Sequence, residues 1–480
     1  MFLKRTFFCL AGAALITSAV QAQTNWIDTR QTQQYTIDGE DYRYKAVFNE
    51  MAINENTSIS STAYIVDSKQ ERPVLFAFNG GPGSSASTLQ FSGVGPWSKV
   101  KNSDGEDEFI LNPSTSLKFA DLVFIDPPGT GFSKPSMKAE SPADFWTPKG
   151  DAQVFNEYIE HWLKKHGRED ATVFLAGESY GGYRLAQMLG QPFDFKLGGV
   201  LLVSPLLDAS GNEGVQGNIM PYLFSLPTFA VAAAEHGMGS MKGMDHEAVY
   251  TAAKSFAMTD YVDALLKGGE LTDKDAYEIA GKMANFLGLS RDVILDHDLK
   301  IDGEFFRMNL LKPEGKQFGR LDARMIAPLP EEDNGRVSAM NDPSLGLGNS
   351  LIIQSDPIKQ YLKREVGIEN DLPYVSLSLE VNGQWRYGNS DSPWTEPNFY
   401  FNPTPNIASQ VENNPDMKVL VVTGYYDLAV PALSPWYALM HSGLKPEQVT
   451  YEIIASGHSV FAEDAELPRL ENIMEEFLKP

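Results

Sequence analysis

Residues 172–182 read Thr-Val-Phe-Leu-Ala-Gly-Glu-Ser-Tyr-Gly-Gly and run from an apolar stretch of strand character into G-x-S-x-G, then into a helical stretch at 183–189. A strand that turns this sharply into a helix belongs in a parallel sheet, and the turn needs small residues on both sides of the serine. Gly177 and Gly181 meet that need. The strained backbone pushes the hydroxyl out at the C-terminal end of the strand, which makes Ser179 a candidate nucleophile.

The surrounding chain has the matching rhythm. Short apolar runs at 74–78, 122–125, 172–176 and 199–203 each end in Gly, Pro or Asp and are separated by helix-like stretches, the pattern of a parallel sheet. Alternation at 34–37 and 61–66 predicts antiparallel strands at one edge, one face buried. Val154, Tyr158, Ile159 and Trp162 fall at helical spacing within 151–165 and predict a crossover helix, with His161 and His166 facing solvent. From 211 to 406 the rhythm gives way to Met- and Ala-rich helical stretches, long loops and an aromatic segment with Trp385, Tyr387, Trp394 and Phe399. This reads as an inserted cap whose aromatic segment packs the cap core or walls a subsite. The sheet pattern returns at 419–423 and 449–455, and an amphipathic helix at 467–478 ends the chain. The expected organisation is an α/β core in two parts, 23–210 and 407–480, split by a cap at 211–406.

A serine hydroxyl is a weak nucleophile until a base takes its proton, and after an elbow of this kind the acid and the base follow in chain order. Of the seven histidines, only His458 follows a predicted strand on a turn of small residues, Ala455-Ser456-Gly457, so it is the candidate base. Asp427 stands at the end of the 419–423 strand and is the favoured acid; Asp208, which opens the insertion, is the rival. Asp126 precedes the serine and reads as structural. Stabilising a tetrahedral intermediate takes two backbone N–H donors. Tyr180, next after the serine, supplies one, and the loop Asn79-Gly80-Gly81-Pro82-Gly83-Ser84-Ser85 offers Gly81 as the other.

At the N-terminus Lys4 and Arg5 precede an apolar run at 6–16 that is too short to span a bilayer, and Val20-Gln21-Ala22 suits cleavage. Residues 1–22 are therefore expected to be a signal peptide, giving a secreted or periplasmic protein that leaves the membrane once cleaved. The one cysteine, Cys9, lies inside it, so the mature chain has no disulfides. With 63 acidic against 39 basic residues the net charge is −24, which argues against a nucleic-acid partner.

Five strings together resemble the serine carboxypeptidase family: NGGPGSS at 79–85, DPPGTGFS at 126–133, GESYGG at 177–182, Asp427 followed by Val430-Pro431, and SGH at 456–458. They occupy both halves of the split core in the family's order. The resemblance implies an α/β-hydrolase fold, no metal or organic cofactor, peptide substrates shortened from the C-terminus, and a substrate carboxylate held by Asn79 and Glu178. An ionised Glu178 repels a carboxylate, so binding is expected to strengthen at acid pH. Four positions depart from the family pattern: Gly93 stands where a second glutamate is usual, Ser84 replaces a cysteine, Tyr425 an aspartate and Phe461 a proline. Gly93 keeps open the alternative of an esterase or acyltransferase on the same fold. A non-catalytic binding protein is a third reading, but it has no use for elbow, base, acid and oxyanion loop together.

Overall fold

The computed structural model of the chain describes residues 26–37, 40–134, 145–211, 217–331, 338–387 and 402–479. The expected signal segment and residues Trp394 and Phe399 lie outside these ranges.

The apolar runs become neighbours in one sheet of nine strands: β1 (Trp26–Ile37), β2 (Glu40–Asn54), β3 (Thr57–Val66), β4 (Val74–Phe78), β5 (Asp121–Asp126), β6 (Val173–Glu178), β7 (Leu197–Val203), β8 (Lys418–Gly424) and β9 (Thr450–Ile454). Their spatial order is β1-β2-β3-β5-β4-β6-β7-β8-β9. The first three are antiparallel, β3 meets β5 antiparallel, and every pair from β5 onward is parallel. After β4 the chain moves to one side for β5 and then to the other for β6. The loops leaving β4 and β6 therefore lie side by side at the carboxyl edge, the usual place for a site in an open sheet.

Parallel strands are buried on both faces, and β4, β5 and β6 are buried at every residue. One face is covered by α1 (Pro148–His166), α2 (Tyr180–Met188) and α7 (Thr404–Asn413). The other is covered by α6 (Asp356–Glu365) and α8 (Leu467–Leu478). The same layers explain why β3, expected to bury one face, is buried continuously from Thr57 to Tyr64. Tyr158 of α1 donates to Ser61 on one side, and Tyr361 of α6 approaches Tyr64 on the other.

The helix α1 spans the predicted crossover, with Thr147 capping its start and Gly167 its end. His161 is exposed, as expected, but His166 is not free in solvent. Its ring lies 4.3 Å from that of Trp162, its Nε2 is 3.2 Å from Asn49 Oδ1, and burial pushes its pKa down to about 4. The last turn of α1 leans over the long strand β2, which draws the ring inward.

Within the insertion, α3 (Met220–Glu235), α4 (His246–Phe256) and α5 (Asp273–Leu287) form a further apolar cluster, joined by Tyr425, Tyr426, Leu428, Ala432 and Leu433 from the segment after β8. By contrast, Ile358, Tyr361, Leu362 and Tyr374 join the core on one face of the sheet, and Val381 and Trp385 join it on the other. No helix among the described residues is long and apolar enough to cross a membrane.

Candidate active site

Ser179 stands between β6 and α2 at φ 61°, ψ −126°, a conformation that L-residues rarely adopt. Its N–H donates to Val203 O (2.9 Å), and its carbonyl accepts from Gly182 N (2.9 Å) and Leu206 N (3.0 Å). The turn closes so tightly that a Cβ on Gly177 would lie 2.3 Å from Gly181 O. The two glycines singled out in the sequence therefore face each other across the elbow.

The base and acid come together from chain segments 31 residues apart, with His458 Nδ1 2.6 Å from Asp427 Oδ2. Asp427 is fully buried, and its other oxygen accepts from Ala429 N (2.8 Å) and Val430 N (3.0 Å). A carboxylate on Nδ1 keeps the proton there and leaves Nε2 as the acceptor. Burial acts against the imidazolium, but Asp427 and then Glu178 outweigh it, and the pKa of His458 ends above its ordinary value. The rival Asp208 is engaged elsewhere: it accepts from Ser210 N (2.9 Å), Ser210 Oγ (2.7 Å) and Asn402 Nδ2 (3.2 Å).

A strap from the insertion holds both loops. Arg320 O accepts from Leu428 N (3.0 Å), Ala323 N donates to Tyr426 O (3.0 Å), and Leu321 O accepts from His458 N (2.7 Å). Arg324, paired with Asp322 and Glu463, also donates to Ala455 O (3.2 Å). Ser204 Oγ fixes the carbonyl of His458 at 2.7 Å. None of these supporting residues was singled out from the sequence, because backbone bonding between distant segments leaves no local pattern.

The loop after β4 lies against the elbow; a Cβ on Gly80 would lie 2.3 Å from Tyr180 N. Gly81 has φ +100°, accessible to glycine and strained for other residues. The segment 376–382 supports this loop: Ser378 N donates to Gly83 O (2.8 Å), Ser85 N to Ser376 O (3.0 Å) and Asn382 Nδ2 to Pro82 O (3.2 Å). Beneath it the buried Arg184 donates through Nη1 to Asn79 O (2.6 Å) and through Nε to Asp151 Oδ2 (2.7 Å). Asp126 acts as expected of a structural residue: it accepts from Ala86 N (2.8 Å) and Tyr374 OH (3.3 Å), and burial raises its pKa to about 7.

Glu178 is buried beside the base, accepting from Ser459 Oγ at 3.1 Å and interacting with the side chain of Asn79. Burial pushes its pKa up to about 6, against the opposing influence of His458, Ser459 and Asn79. The structure thus brings Asn79 and Glu178 together next to Ser179. Gly93 lies outside this pair. A Cβ there would lie 2.5 Å from Leu89 O and 2.9 Å from Leu89 Cα, and its carbonyl accepts from Asn112 Nδ2 at 2.9 Å. The Gly93→Glu substitution is therefore expected to destabilise the fold by about 2 kcal/mol or more without tightening substrate binding. Thermal unfolding together with KM checks this, and an unchanged melting temperature with a lowered KM would contradict it. Of the aromatic segment, Trp385 and Tyr387 lie with ring centroids 5.3 and 6.3 Å from that of Tyr180. Tyr425 and Phe461 are buried in apolar clusters, so neither departure removes a group from the site.

Sheet order and the strand–elbow–helix turn define the α/β-hydrolase fold, with Ser179 at the elbow and the Asp427–His458 pair in the loops after β8 and β9. Residues 60–212 match the family model described as serine carboxypeptidase. It is 28% identical over 184 residues to serine carboxypeptidase-like 13 of Arabidopsis thaliana, covering 36% of this chain and 41% of that protein. It is 37% identical over 121 residues to the pheromone-processing carboxypeptidase KEX1 of Saccharomyces cerevisiae, covering 23% and 16%. The matched stretch therefore spans less than half the length of these relatives. The crystal structure of a prohormone-processing carboxypeptidase from Saccharomyces cerevisiae shares the fold, with TM-score 0.52, 16% identity and coverage of 93% of this chain and 90% of that one. Asp427 and His458 lie beyond residue 212, so their pairing rests on the geometry described above.

Proposed function

We propose that this chain is a serine carboxypeptidase that removes C-terminal residues from peptides in the periplasm or outside the cell. The observation that carries the reading is the buried Glu178 carboxyl, next in sequence to the nucleophile and in contact with Asn79 and Ser459. A carboxylic acid that keeps its proton to about pH 6 can share it with a peptide's terminal carboxylate. Such a receptor has no role in hydrolysing a neutral ester.

In this mechanism His458 Nε2 takes the proton of Ser179 Oγ as the oxygen attacks the scissile carbonyl. The N–H groups of Gly81 and Tyr180 hold the oxyanion, and Asp427 stabilises the imidazolium. The proton passes to the departing amine, and water activated by the same histidine then releases the acyl group from Ser179. Trp385 and Tyr387, whose rings pack against Tyr180, are the candidate wall of a side-chain subsite.

Mass spectrometry of blocked peptides, with free and with amidated C-termini, tests the reading. Shortening of the free acids alone, dependent on Ser179, supports it. Intact free acids alongside cleaved simple esters would transfer the site to esterase or acyltransferase chemistry, the alternative that the closed position at Gly93 keeps in view.

The pH dependence has a defined sign. As pH rises through about 6, Glu178 ionises and repels the substrate carboxylate, so kcat/KM for free-acid peptides falls. Glu178→Gln carries an amide donor at every pH and is expected to flatten that fall. Initial rates from about pH 5 to about pH 8 check this; an unchanged slope in the variant would remove Glu178 from carboxylate binding.

A further inference from the structure

Along the carboxyl edge of the sheet, Asn79 follows β4, Ser179 follows β6, and Asp427 follows β8, two strands further on. If Asn79 and Glu178 hold the terminal carboxylate, the rest of the peptide crosses Ser179 and runs toward the loop after Asp427. At that end lies a cavity of about 240 Å³ lined by Leu428, Ala429 and Pro431, by Tyr222 of the insertion, and by Arg320. Its two carboxylates have partners of their own: Glu304 is paired with Arg307, with Arg320 adding a weaker attraction, and Asp302 caps the helix at 303–309.

Arg320 differs from its neighbours. The guanidinium groups of Arg307 and Arg324 are held by carboxylates, whereas that of Arg320 has no ion-pair partner among the described residues and is exposed. Its backbone is nevertheless fixed, since its carbonyl accepts from Leu428 N and its N–H donates to Asp342 (3.2 Å). The next residue, Leu321, accepts from His458 N (2.7 Å), which places Arg320 beside the loop that carries the base. A rooted guanidinium with five donors and no ion-pair partner among the described residues, beside a cavity that borders the loop after Asp427, suits a carboxylate.

We propose that Arg320 selects peptides carrying an acidic side chain on one of the two residues preceding the scissile bond. The inference rests on the carboxypeptidase reading and adds the substrate class to it.

The test uses blocked free-acid peptides identical except for Glu or Gln at each of those two positions, with the wild-type protein, Arg320→Gln and Arg320→Glu. At one position the wild-type ratio of kcat/KM for Glu over Gln is expected to be about tenfold, the worth of one charge-assisted hydrogen bond, and to shrink with added salt. Arg320→Gln brings the ratio near one, and Arg320→Glu inverts it. Each ratio is taken within a single variant, so partial loss of folded protein cancels. A wild-type ratio near one at both positions, or a ratio that survives Arg320→Gln, overturns the proposal while leaving the carboxypeptidase reading intact. If the wild-type protein shortens neither peptide, both fail.

Discussion

Replacing Ser179 with alanine is expected to lower the rate of C-terminal residue release by on the order of 10⁵-fold or more, and His458→Ala to lower it by a similar factor. Nucleophile and base act as one unit, so the double variant should be little worse than either single one. Asp427→Asn is expected to cost on the order of 10⁴-fold, because an amide at the 2.6 Å contact stabilises the wrong imidazole tautomer. The readout is initial rate by mass spectrometry, with melting temperature confirming the fold. A Ser179→Ala protein retaining a tenth of the wild-type rate would place the chemistry elsewhere.

The largest expected effect on stability comes from Arg184→Met. Arg184 and Asp151 are both buried, and removing the guanidinium leaves a carboxylate without its counter-ion and the Asn79 carbonyl without a donor. Losing one partner of a buried pair costs about 3–5 kcal/mol, whereas replacing both by apolar residues of similar volume costs far less. Urea unfolding of Arg184→Met against Arg184→Met with Asp151→Leu measures the difference. The loss should also depend on pH. Burial already raises Asp151 to about 6 against the opposing Arg184, so the native state loses stability as pH rises from the unfolded value through about 6. Without Arg184 the carboxyl rises further, so the variant's deficit is larger at neutral than at acid pH. Equal deficits at both would mean that Asp151 is not the group left exposed to the penalty.

The sequence revealed most of what local pattern can carry. The strands at 74–78, 173–178, 197–203 and 418–424 were legible because an apolar run flanked by turn residues has few other uses, and Ser179, Asp427 and His458 because each stands at such a strand's end. Strand β2 was not legible: Glu40–Asn54 mixes charged and apolar residues, and its pairing with β1 and β3 sets its structure. The hairpin of Trp97–Lys101 with Asp107–Leu111 was missed for a similar reason. Composition marks the insertion as one cap, whereas Tyr361 and Tyr374 lie in the sheet's own core. His166 was placed in solvent because helical spacing says nothing about which strand passes beneath a helix end.

The strap at 320–324 bears on when the protein becomes active. The nucleophile is complete within the first half of the chain, while its base and acid are supplied near the end and are tied down by residues made in between. A chain deprived of the intervening 200 or so residues would lose α6, which covers one face of the sheet, and also the Leu321 carbonyl that anchors the backbone of the base. The elbow serine thus precedes in the chain the segments that anchor the base and the acid. For the peptide hydrolase proposed here, that order of assembly would keep half-made copies harmless to one another.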